Sequence, residues 1–123
     1  MTNSEIVMHL NKLHEMSERE KKTETPKFSI TTGYVIRKNI SVLEQYYKPY
    51  LESLQALQRK YLNKEEIEFQ NANERKEYER KLNELLNIDN PDVAIHKIAI
   101  TELEKCNNLT MEDQDALFFM IEE

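Results

Sequence analysis

The chain has 123 residues, of which 39% are apolar and 33% charged, with a formal net charge of −6, one glycine, three prolines and one cysteine. That length fits one domain able to bury a core without disulfides or metal. So few glycines and prolines argue against an all-β barrel or sandwich and against glycine-rich phosphate loops, and one cysteine excludes an internal disulfide framework or multi-cysteine zinc site.

In chain order, Thr2 and Glu5 have the spacing of a capping box. Ile6, Leu10 and Leu13 follow at helical spacing and predict a first helix over about 3–19. The polar stretch around Pro26 reads as a linker or exposed loop. Gly33, Ile36, Ile40, Leu43, Tyr47, Tyr50, Leu54, Leu57 and Tyr61 then alternate at spacings of three and four. This 3.5-residue period predicts a long helix with a coiled-coil-like seam. Pro49 inside it predicts a kink near 45–49, with a break into two helices as the rival reading.

Over 66–70, Ile67 and Phe69 alternate with Glu66, Glu68 and Gln70, the period of a short strand; a helical continuation is the alternative. Asn71 and Glu74 resemble another capping pair. Tyr78, Leu82, Leu85 and Leu86 predict a third helix to about Asn87. The β-branched run from Val93 to Ile100 predicts a strand, most simply paired with 66–70. Thr110 caps a last helix, with Asp113 at the reciprocal position and Leu117, Phe118, Met120 and Ile121 docking it on the core. The expected architecture is a mainly α single domain over 1–123, a long kinked central helix plus shorter helices, with a minor two-stranded β pairing of about 66–70 with 93–99.

Charge is unevenly distributed. Residues 102–123 hold seven acids and one base, so they carry the whole surplus, while residues 33–64 hold six bases and two acids. Such asymmetry steers partners by sign.

Catalytic patterns are absent. Cys106 has no histidine near it in sequence, and His9 and His14, five apart, splay around a helix instead of pairing on a metal. A non-enzymatic protein with no cofactor and no metal is expected. The first candidate binding surface is the acidic block of Glu102, Glu104, Glu112, Asp113, Asp115, Glu122 and Glu123, with Phe118 and Phe119 as apolar anchors, one of them expected in the core and the other free. It suits a basic, nucleic-acid-binding surface on a partner protein. The alternative face is Arg37, Lys38, Tyr46, Lys48, Arg59 and Lys60, where cations and tyrosines interleave. Tyr46 is the aromatic there that the seam leaves free. An overall pI near 5.2 works against direct nucleic-acid binding.

No apolar run approaches the ~20 residues of a membrane span, and the first residues carry no signal-peptide pattern. A cytoplasmic location is expected.

Several phrases carry a resemblance: E-I-V-M-H-L-N-K-L near the start, K-N-I-S-V-L-E in the long helix, L-N-E-L-L-N-I-D-N-P-D-V-A-I-H-K-I, the following E-L-E and the terminal A-L-F-F-M-I-E-E. They are similar to a family of small acidic proteins of unknown function from phages and prophages of Gram-positive bacteria. The resemblance implies a phage-encoded intracellular protein and transfers no functional residues. By analogy with small acidic phage proteins that lack catalytic motifs, it suggests an anti-CRISPR-like inhibitor of a host defence protein. The alternatives are a phage assembly protein that oligomerises through the heptad seam and an accessory nucleic-acid-binding protein.

Overall fold

The computed structural model describes residues 1–61 and 72–122. The strand expected over 66–70 and the Asn71 cap lie outside the described residues.

Helix α1 (Asn3–Lys21) opens on a reciprocal capping box. The Thr2 hydroxyl accepts the Glu5 N–H at 3.2 Å, and Glu5 Oε1 accepts the Thr2 N–H at 3.1 Å. Two of the four N–H groups that a helix start leaves unmatched are thereby satisfied. Ile6, Leu10, Leu13 and Met16 form its buried stripe.

Helix α2 (Ile30–Tyr61) is 32 residues long. Ser29 caps it, with Oγ accepting the Thr32 N–H at 3.2 Å. It runs through Pro49 without a break. Pro49 and Gln45 are both exposed, so the carbonyl that loses its N–H partner is on the wet side, where water can replace the bond. The seam is used inside this one chain: Ile36, Leu43, Tyr50 and Tyr61 are buried, whereas Leu54 and Leu57 are half-buried. The helix packs on both α1 and α3 (Ala72–Leu86), where Tyr61 of α2 meets the Tyr78 ring edge-on with centroids 6.2 Å apart, and Leu82, Leu85 and Leu86 of α3 are half-buried.

The β pairing is minor: one of its strands falls within the expected 93–99, and among the described residues its partner is the C-terminal segment, the expected 66–70 lying outside them. Strand β1 (Ile98–Ala99) pairs in parallel with β2 (Ile121–Glu122), Ile98 opposite Ile121. Val93–Lys97 is not strand, and within it a side chain takes the place of a neighbouring strand at His96. Asn39, fully buried on α2, donates from Nδ2 to the His96 carbonyl at 2.9 Å and accepts the His96 N–H on Oδ1 at 2.8 Å. A carboxamide has the donor and acceptor spacing of a peptide, so it mimics one residue of a neighbouring strand. Short helix α4 (Ile100–Leu103) follows, then α5 (Met111–Leu117) and a 3₁₀ turn, Phe118–Met120. The last helix therefore ends four residues before the expected Ile121, which becomes strand.

The core joins α1 to Ile36 and Leu43 of α2, to Ile98, and to Ala116, Leu117 and Met120 of the C-terminal segment. No described helix is long and apolar enough to cross a membrane.

Burial separates two leucines of the seam. Leu43→Ala should lower stability by about 2–5 kcal/mol, since a fully buried leucine leaves a cavity, while Leu54→Ala should cost clearly less. Thermal unfolding of the pair checks this, and equal losses would contradict it. Gly33 lies inside α2, lines a cleft of about 370 Å³ between the facing ends of α1 and α2, and would meet nothing within 4 Å if given a Cβ. Gly33→Ala should therefore stabilise the protein by about 0.5–1 kcal/mol, through helix propensity and a less flexible unfolded chain.

Candidate functional site

The acidic C-terminal residues divide sharply by position. Asp113, in the first turn of α5, is 1% exposed. Its Oδ2 accepts the Thr110 N–H at 3.1 Å, which completes a capping box. Arg19 donates to Oδ1 at 3.0 Å from α1, and Lys27 to Oδ2 at 3.2 Å from the linker. Burial by itself pushes this carboxyl up. The Thr110 N–H, the Arg19 guanidinium and the Lys27 ammonium outweigh it and hold the pKa below its ordinary value. Asp113 is thus withdrawn from any partner, contrary to its place in the expected acidic surface.

Of the other described acids, Glu104, Glu112, Asp115 and Glu122 are exposed and Glu102 is half-buried. Glu112 pairs with Arg19 at 3.5 Å and Asp115 with Lys12 at 2.8 Å, yet both keep most of their side chains exposed. Glu102 pairs with Lys105 at 2.8 Å. Glu123 lies outside the described residues. Of the two phenylalanines, Phe118 is 73% exposed. Phe119 is half-buried and stacks on His9, ring centroids 4.1 Å apart and 19° from parallel. Burial lowers the His9 pKa, so this ring is neutral at pH 7 and acts as a packing face.

Sequence reasoning missed Met111. It is 80% exposed and precedes Phe118 by seven residues, about two helical turns. Asp113, Ala116 and Leu117 are buried on the opposite side. Met111, Gln114, Asp115 and Phe118 therefore form one outward face, two large apolar side chains set among polar and acidic groups. The seven-residue spacing between Met111 and Phe118 was the available signal.

On the alternative face, Arg37, Lys38, Lys48, Arg59 and Lys60 are all exposed. Lys38 lies over the Tyr34 ring at 4.9 Å and Lys60 over Tyr61 at 5.2 Å. Tyr46 is not free as expected. It is half-buried and packs against the core, because α2 is covered on two sides and its seam is correspondingly wide.

The remaining candidates sit apart. The Cys106 thiol is half-buried and contacts the Thr32 hydroxyl at 3.6 Å. His14 faces Glu44 at 3.5 Å, and His96 is exposed. Among the described residues, no three His, Cys, Asp or Glu side chains gather to hold a metal ion.

Asp113 makes a pH prediction with a definite sign. A carboxylate held below its ordinary pKa contributes stability above that ordinary value, and the contribution is lost as pH falls through the folded pKa. Wild type should lose stability progressively below about pH 4. Asp113→Asn should be less stable at pH 7 by about 3 kcal/mol, since Arg19 and Lys27 lose their shared partner, and its stability should fall less on acidification. Denaturant midpoints from pH 7 to 2 check both, and parallel pH profiles would contradict the assignment.

The chain matches no protein-family model, no curated protein and no solved structure.

Proposed function

We propose that this chain is a non-enzymatic, phage-type protein-binding module that docks through the outer face of α5. Met111 and Phe118 carry the reading. Large apolar side chains so exposed, one on a helix whose other side is anchored in the core and one at that helix's C-cap, are what an interface uses as anchors. Glu112 and Asp115 flank them and favour a basic rim on the partner, with an apolar recess between the cations. The most concrete version is an anti-CRISPR-like inhibitor that occludes a basic surface of a host defence protein. Its phage origin is supported by the sequence phrases quoted above, and its target class by analogy with small acidic phage proteins.

Rigid placement supports the same reading. The capping box, the Asp113 ion pairs, Leu117 and Met120 fix α5 before any partner arrives, so little ordering entropy opposes binding.

The test starts with capture from a Gram-positive bacterial lysate and continues with association kinetics on the purified, captured protein. Met111→Ser with Phe118→Ser should weaken binding at least 30-fold, since each anchor in an interface core contributes about 1–2 kcal/mol or more. Glu112→Lys with Asp115→Lys should chiefly slow association, and the wild-type on-rate should fall as salt rises. An unchanged affinity in the folded double serine variant would refute the α5 face.

A further inference from the structure

The ion pairs of this protein are distributed unevenly over its helices. Helix α1 commits Lys12, Arg19 and Lys21 to carboxylates. Helix α3 commits Arg75, Arg80 and Lys81, with Lys76 making no ion pair among the described residues. Lys27 and Lys105, outside these helices, are paired as well. Helix α2 carries Arg37, Lys38, Lys48, Arg59 and Lys60, and among the described residues none of the five makes an ion pair.

Their spacing is regular. Arg37, Lys48 and Arg59 recur every eleven residues, which is three helical turns with a drift of roughly 20° per step. They therefore form a nearly straight exposed row, about 33 Å from first to last at 1.5 Å per residue. Ser41, Gln45 and Gln55 lie on the same exposed side. The acids of this helix are Glu44, which faces His14, and Glu52, which interrupts the row.

The row also lacks what a protein interface needs. Among the described residues, no large apolar side chain between Arg37 and Lys60 is exposed. A docked protein wants apolar anchors. A phosphate backbone wants cations interspersed with neutral hydrogen-bond donors such as Ser and Gln, and no anchor at all. A single strand would want exposed rings for its bases to stack on; here Tyr34 is at the margin and Lys38 already covers it.

We propose that the outer face of α2, along Arg37, Lys48 and Arg59 with Lys38 and Lys60, binds the phosphate backbone of duplex nucleic acid without sequence preference. The overall charge of −6 does not forbid it. The surplus acid lies in residues 102–123, and several of those acids are already turned onto α1. This face is separate from Met111 and Phe118, so it stands or falls independently of the α5 reading.

Fluorescence anisotropy with a labelled 30-base-pair DNA duplex tests it, from 50 to 200 mM salt. The expected dissociation constant at 50 mM is micromolar, and log K should fall against log salt with a slope of about −2.7 to −4.5, from three to five neutralised phosphates. Reversing Arg37, Lys48 and Arg59 to Glu should abolish the signal, with circular dichroism verifying the fold. Glu52→Lys adds a cation to the row, so it should tighten binding and steepen the slope by about 0.9. Phe118→Ser should leave the titration unchanged. No binding at 50 mM salt, a reversal variant that binds like wild type, or equal binding of labelled poly-glutamate would overturn the proposal; the last would make the row a site for acidic protein. Tighter binding to a single strand of the same length would overturn the duplex assignment.

Discussion

One buried carboxylate holds three parts of this fold in register. Asp113 caps its own helix and at the same time neutralises Arg19 from α1 and Lys27 from the linker. Each contact alone would be unremarkable. Together they match a desolvated charge with two opposite charges and an N–H, the condition under which burying a carboxylate is tolerable. The docking of α5 on α1 then gathers Ala116, Leu117 and Met120 into one core with the buried stripe of α1. The apolar contact supplies most of the attraction, and the charge cluster chooses the rotation and depth at which it is made.

Buried amides do a similar job elsewhere. Asn39 gives the irregular segment before β1 a hydrogen-bonding partner without a neighbouring strand. Asn3, also buried, donates to the Leu85 carbonyl at 2.8 Å and accepts from Asn90 at 2.9 Å, which ties the start of α1 to the end of α3. Satisfied buried polar groups of this kind exclude alternative packings, because a shifted register would strand them without partners. A chain poor in glycine and proline, and so poor in sharp turns, uses side chains to hold its connecting segments.

Local signals were legible and distant ones were not. The Thr2–Glu5 and Thr110–Asp113 boxes, the stripe of α1 and the long α2 all follow from residues within one or two turns of each other. The pairing of Ile98 with Ile121 does not, since two two-residue strands have no period to detect, and neither does the use of Asn39 as a strand surrogate. The candidate surface was half legible. Acid and aromatic content in residues 102–123 marked the region, but which acids face outward depended on Lys12, Arg19 and Lys27 about ninety to a hundred residues earlier. Composition registers a charge; only tertiary packing decides whether it already has a partner.

The distance between those partners shapes how the molecule is made. Lys12 meets Asp115 across 103 positions and Arg19 meets Asp113 across 94. Closing loops of that size is slow relative to forming helices. During synthesis, which adds about 5–20 residues per second, α1 and α2 can pair early, but the side of α1 destined for Leu117 and Met120 stays bare until the C-terminal segment has left the ribosome. For those seconds the nascent chain displays a sticky helix face, which makes this the stage at which a chaperone would have most to cover.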